Sequence, residues 1–454
     1  MPAPDVNRTI DAVWRIESAR LVAGLGRIVR DLGLAEDLAQ EALVAALEQW
    51  PRSGVPDNPG AWLMATAKHR AIDRLRRAEV HDRKTRELGR ELAVRGEAGG
   101  PDLEAALDDP FDDDLLRMIF TTCHPLLSTD ARVALTLRLL GGLATEEIAR
   151  AYLVSEATVA QRIVRAKRTL TAARVSFETP DRGELAERLG SVLEVVYLIF
   201  NEGYAATAGD DWLRPELIEE ALRLGRIIAE LLPSEPEVHG LVALIELQAS
   251  RSRARTGPSG EPVLLLDQGR ARWDWVLVGR GLAALERAQE VGGVLGPYVL
   301  QAAIAACHAR ARTAEETDWE RIVALYDGLA QLQPSPVVEL NRAVAVGMAF
   351  GPEAALELAD GLSGEPALRD YHLLPTVRGD LLAKLGRNEE ARAEFERAAS
   401  LTQNARQREL LLARMAECRE PQRRLSAGHR LAAPMRPLLP GGAARSDRAL
   451  GRHP

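Results

Sequence analysis

Between Thr145 and Lys167 the chain reads TEEIARAYLVSEATVAQRIVRAK, and the second half of that stretch sets Thr158, Gln161, Arg162, Arg165 and Lys167 on one outward face. These side chains carry a chemistry. Glutamine and arginine can pair hydrogen bonds to a base edge, and a cation nearly free of neighbouring acids holds phosphate. Such groups act only from a rigid helix, and the flanking residues predict one. Ile148, Ala149 and Tyr152 form the inner face of a first helix, Val154 and Ser155 a turn, and Val159 and Ile163 the anchor of a second. Ser155 with Glu156 and Thr158 supplies N-cap chemistry at the start of that second helix. The pattern is a helix-turn-helix aimed at the DNA major groove. Leu153 stands at the turn position often filled by glycine, and its bulk disfavours a positive φ there.

A second cationic set lies upstream, where Lys68, His69, Arg70, Arg74, Arg76 and Arg77 end a helix that begins with the apolar Trp62, Leu63 and Ala67. Two apolar stripes at helical spacing precede it: Leu21, Leu25, Ile28, Val29 and Leu32, then Leu38, Ala42, Leu43, Ala46 and Leu47, closing at Trp50-Pro51. Residues 1–80 therefore read as one small helical domain. Residues 81–114 have no sustained period, contain Gly96, Gly99, Gly100 and Pro101, and end in an acidic run, which predicts a flexible linker. Residues 115–175 form a second small helical domain that contains the helix-turn-helix.

Past Pro180 the pattern is an all-helical block to about residue 420. Gly379, Leu382, Gly386, Ala391, Phe395 and Ala398 have tetratricopeptide-like small-large spacing, and a weaker copy spans 340–362. Residues 421–454, rich in Pro, Gly and Arg, predict a disordered tail. The fold class is all-α throughout. Of 454 residues only 4% are aromatic, and the net charge of −8 excludes a general nucleic-acid coat while allowing local basic surfaces. Cys123, Cys307 and Cys418 form no metal or disulfide spacing. No apolar run suits a signal core or a membrane span, so a cytoplasmic protein without membrane contact is expected. Glu202, Asp274 and His308 in the C-terminal block make no nucleophile–base pattern, so no catalytic residue, metal or cofactor is expected.

The segments Leu34–Trp50 and Asn58–Arg77 resemble region 2 of bacterial sigma factors, and Leu115–Leu170 resembles their region 4. Their order and spacing resemble the extracytoplasmic-function (ECF) class. The segments Val195–Tyr204, Asp267–Asp274 and Pro336–Ala345 are similar to motifs of the ECF subgroup that carries a tetratricopeptide-like C-terminal extension. That resemblance implies a subunit that binds core RNA polymerase, at the β′ clamp helices through Asp37, Gln40 and Glu41 and at the β flap. It implies −10 promoter contacts from Lys68, His69, Arg70, Arg74, Arg76 and Arg77. It implies −35 contacts from Thr158, Gln161, Arg162 and Arg165, with Lys167 and Arg168 nearer to phosphates. His69 departs from the asparagine common in the family, and Gly269 from an acidic residue. The linker is expected to thread the polymerase cleft, and the extension to regulate the sigma regions by intramolecular contact, with Phe200, Asn201, Glu202 and Tyr204 as a candidate patch. The alternative is a polymerase-independent helix-turn-helix regulator whose helical solenoid senses a ligand or protein.

Overall fold

The computed structural model describes residues 6–89 and 111–418, apart from Leu153, Arg182, Ser259 and residues 293–295. Most of the predicted linker, the tail, and the turn residue Leu153 therefore lie outside the described residues. The fold is all-α, with two strands of two residues each among the described residues, and divides into one compact unit up to Val195 and another from Val196.

The first unit starts with α1 (Val6–Val29), α2 (Leu32–Ser53) and α3 (Pro59–Gly89). Asp31 caps α2 by accepting from the Leu34 N–H at 2.8 Å, and Gly54, at φ 87°, ends it with its N–H on the Trp50 carbonyl. Asn58 accepts from the Ala61 N–H at 3.0 Å, and Pro59 occupies the first turn of α3, where its missing N–H costs nothing. Leu21, Leu25, Leu38, Ala42, Trp50, Leu63 and Ala67 are buried between these helices. The ring of Trp50 meets that of Trp62 edge-on at 5.4 Å. Two sequence expectations change here. Helix α2 continues through Pro51 to Ser53, and Leu47 is exposed rather than part of the stripe, beside the exposed Val44.

The unit continues with α4 (Phe111–Thr122), α5 (Thr129–Leu139), α6 (Thr145–Tyr152), α7 (Glu156–Ala172) and the first half of α8 (Leu185–Tyr204). Both ends of the segment read as a linker are helical. Helix α3 runs on to Gly89, and the acidic run enters α4, where buried Asp114 accepts from Arg27 of α1 and from Arg117, each at 3.0 Å. A carboxylate this buried needs two cationic donors to offset its lost hydration. Its role is to tie α4 to α1. Arg132 of α5 reaches Ser191 and Glu194 on α8, and Arg188 donates to the Phe120 carbonyl at 2.9 Å.

The second unit is a run of helices: α9 (Pro215–Leu231), α10 (Pro236–Ala249), α11 (Trp275–Val291), α12 (Pro297–Arg310), α13 (Trp319–Leu332), α14 (Pro336–Ala349), α15 (Pro352–Gly361), α16 (Leu373–Lys384), α17 (Asn388–Leu401) and α18 (Ala405–Glu417). Small residues set the crossings. A Cβ on Gly379 of α16 would meet the Phe395 ring of α17 at 2.9 Å, as the tetratricopeptide-like spacing predicts. β1 (Ala208–Gly209) pairs in parallel with β2 (Gln403–Asn404), and buried Asn404 donates to the carbonyls of Ala206 and Asp211. The end of this helical run is thereby joined to the loop after α8.

Candidate polymerase and nucleic-acid interface

Helices α6 and α7 form the predicted helix-turn-helix. Glu147 accepts from the Ala144 N–H at 2.7 Å to cap α6, and Ser155 accepts from the Thr158 N–H at 3.1 Å to cap α7. Ile148, Ala149, Val159, Ile163, Ala166 and Leu170 are buried, at the spacing that fixes one face of each helix inward. The opposite face of α7 leaves Gln161, Arg165 and Arg168 exposed and Thr158 half-buried. Arg162 lies in an ion pair with Asp130 of α5 at 2.9 Å, which holds its guanidinium at the edge of this face.

On α3, Lys68 and Arg70 are half-buried, and His69, Arg74, Arg76 and Arg77 are exposed. On α2, Asp37 is exposed, and Gln40 and Glu41 are half-buried. The structure brings these two sets together. Glu41 accepts from Arg70 at 3.3 Å and from Arg74 at 3.5 Å, long contacts between side chains about half in water. Pairs of this kind contribute roughly 0–1 kcal/mol each, so Glu41 can exchange them for another cation at little cost.

Lys167 stands apart. Its ammonium is bonded to Glu36 of α2, which also accepts from Arg138 of α5 at 2.7 Å and from Gln40 at 2.9 Å. Glu36 is only 7% exposed. Burial would raise its carboxyl pKa, but the adjacent Lys167 and Arg138 outweigh that and hold it below the ordinary carboxylate value. A carboxylate one residue before Asp37 thus secures a cation of α7 to α2. Thr171 adds a bond to Asp31 at 3.2 Å. Glu36, Arg138, Asp130 and Asp114 were invisible to sequence reasoning, since an acid in an amphipathic helix carries no mark of a partner 102 or 131 positions away. Among the described residues no group of three His, Cys, Asp or Glu could hold a metal ion, and no helix is long and apolar enough to cross a membrane.

Residues 16–80 match the family model for sigma-70 region 2, and residues 117–170 match that for sigma-70 region 4. The chain is 31% identical over 167 residues to the ECF RNA polymerase sigma factor SigC of Mycobacterium tuberculosis, covering 37% of this chain and 80% of the relative. This chain belongs to the ECF RNA polymerase sigma factors. A probable ECF sigma factor, SigI, of the same organism is 28% identical over 171 residues, with 37% of this chain and 56% of that relative covered. The sigma factor also extends well beyond those domains. Residues 188–289 match a family of unknown function (DUF6596), and an uncharacterized protein of Rhizobium meliloti is 46% identical over 392 residues, 85% of this chain and 90% of that relative. No solved structure matches.

Proposed function

We propose that this sigma factor docks on core RNA polymerase through Asp37, Gln40 and Glu41 and directs it to promoters by contacts at two elements. Lys68, His69, Arg70, Arg74, Arg76 and Arg77 serve the −10 element. Thr158, Gln161, Arg162 and Arg165 face the −35 element, with Lys167 and Arg168 on its phosphates. Core polymerase and promoter DNA are the partners, binding energy rather than covalent chemistry drives initiation, and the site of action is the cytoplasm. In this reading residues 1–80 and 115–175 are the two promoter-reading domains, and 181–420 is a fused regulatory domain.

The observation that carries the reading is the shared acceptor Glu36. Glu36 neutralises Lys167 and holds its side chain largely out of water, 18% exposed, so we read the described first unit as a closed form in which this cation is held back from promoter phosphate. Opening exchanges the Glu36 contacts for contacts to DNA and polymerase, and the fused domain biases that exchange. The test is core-polymerase binding and promoter-specific run-off transcription by the full-length protein and by Asp37→Lys. Loss of core binding with retained thermal stability supports the assignment of α2; unchanged binding removes it.

A further inference from the structure

Two sequence motifs outside the promoter-reading regions converge in the second unit. Tyr204 ends the first motif, at the end of α8; Trp273 lies in the second, just before α11. Between them run arginines from the end of α10 and the turns that follow. The guanidinium carbon of Arg255 lies 3.5 Å from the Tyr204 ring centre and 5.4 Å from that of Trp212. Arg251 lies 5.9 Å from Tyr204 and 5.7 Å from Trp273, and Arg270 stacks at 4.2 Å on Trp273. The result is an alternating ladder of cations and aromatic rings.

Its charge balance is unusual. Arg251 is 5% exposed, and its side-chain hydrogen bond goes to neutral Gln248; Arg270 donates to the carbonyls of His308 at 2.7 Å and Thr313 at 3.4 Å. Neither forms an ion pair with a carboxylate among the described residues, although Glu315 favours the charge of Arg270 at longer range. Cation–π contacts recover roughly 0.5–2 kcal/mol each, whereas burying an ion costs several. Unpartnered polar atoms lie at the same place. Nε of Arg251, Nε1 of Trp273 and both ring nitrogens of His308 are buried without a hydrogen-bond partner among the described residues. His308 is 2% exposed and T-stacked on Trp319 at 5.1 Å. Burial and then the two arginines push its pKa well down, so the ring is neutral and offers one N–H.

We propose that Arg251, Arg270, Trp273 and His308 form a binding site for the oxyanion group, phosphate or carboxylate, of a small-molecule ligand. Guanidinium groups are donors suited to such a group, and indole and imidazole N–H groups complete the set. The site is a property of the second unit and does not depend on the sigma assignment.

The test is isothermal titration of the full-length protein with pyrophosphate and with citrate, at constant ionic strength. Saturable binding of one equivalent below about 1 mM is expected for one of the two, and which one binds distinguishes a phosphoryl from a carboxylate ligand. Arg251→Gln and Arg270→Gln should each weaken it at least tenfold. A pair of variants at a position with room for a side chain guards against collapse of the ladder. Gly269 has an ordinary negative φ of −64° and open space around a built Cβ, so it accepts a side chain. Gly269→Asp places a competing carboxylate next to Arg270 and should weaken binding about threefold or more, while Gly269→Asn should leave it unchanged. Absence of saturable binding by both probes, or equal affinity in wild type and all variants, overturns the proposal.

Discussion

Replacing Glu36 by glutamine removes the charge shared by Lys167 and Arg138 while keeping the side chain's length and one acceptor oxygen. Lys167 is 18% and Arg138 24% exposed at the side chain, so neither cation is stranded when the carboxylate goes. Each charge-assisted bond to a buried carboxylate contributes roughly 1.5–3 kcal/mol; after allowance for this partial exposure, about 2–3 kcal/mol of closed packing is lost in total. The closed-to-open balance should shift by about 30- to 150-fold. Anisotropy titrations on a duplex bearing the −35 element, over a series of salt concentrations, read the consequence. In Glu36→Gln, freed Lys167 adds one phosphate contact, and the slope of log K against log salt should steepen by about 0.9. Lys167→Gln should then be nearly silent in the wild type but should reduce that slope by the same amount in the Glu36→Gln background. Equal effects of Lys167→Gln in both backgrounds would refute the closed contact, because Lys167 would then be equally available with or without Glu36.

Other outcomes follow from the same geometry. Because Glu36 has a folded pKa below its unfolded value of about 4.5, its contribution to the closed packing is complete above that value and is lost as pH falls through the folded pKa. Acid titration of wild type followed by small-angle scattering should therefore show expansion in acid that Glu36→Gln shows already at neutral pH. Ser155→Ala removes the acceptor for the Thr158 N–H and should cost about 1 kcal/mol, read as weaker −35 duplex binding with core-polymerase affinity unchanged. Gly379→Val forces a side chain into the Phe395 ring and should lower stability by about 1–3 kcal/mol, measured as a drop in the denaturation midpoint.

Local rules made much of this molecule legible in its sequence. The N-cap at Ser155, the buried pair Val159 and Ile163, and the Gly379–Phe395 contact each depend on residues within one helix or one hairpin, where periodicity and capping chemistry act directly. Three features escaped for a common physical reason. Asp114 reads as one more acid in a solvated run, yet Arg27 draws it into the packing. Glu36 reads as a surface charge of an amphipathic helix, yet two cations from distant helices bury it. Leu47 fits the apolar stripe of α2 but is exposed, because Ala46 and Trp50 take the buried side of the same turns. The arginine–aromatic ladder was likewise visible only as two separate motifs, since nothing in a sequence brings Tyr204 to Arg251 or Arg251 to Trp273.

The most direct measurement is run-off transcription with purified core polymerase and the full-length sigma factor on templates that carry intact or scrambled −35 and −10 elements. Transcripts that require core, this chain and both intact elements are the expected result. Specific, tight binding of the chain to duplex DNA without polymerase, together with no transcript above core alone, would contradict it.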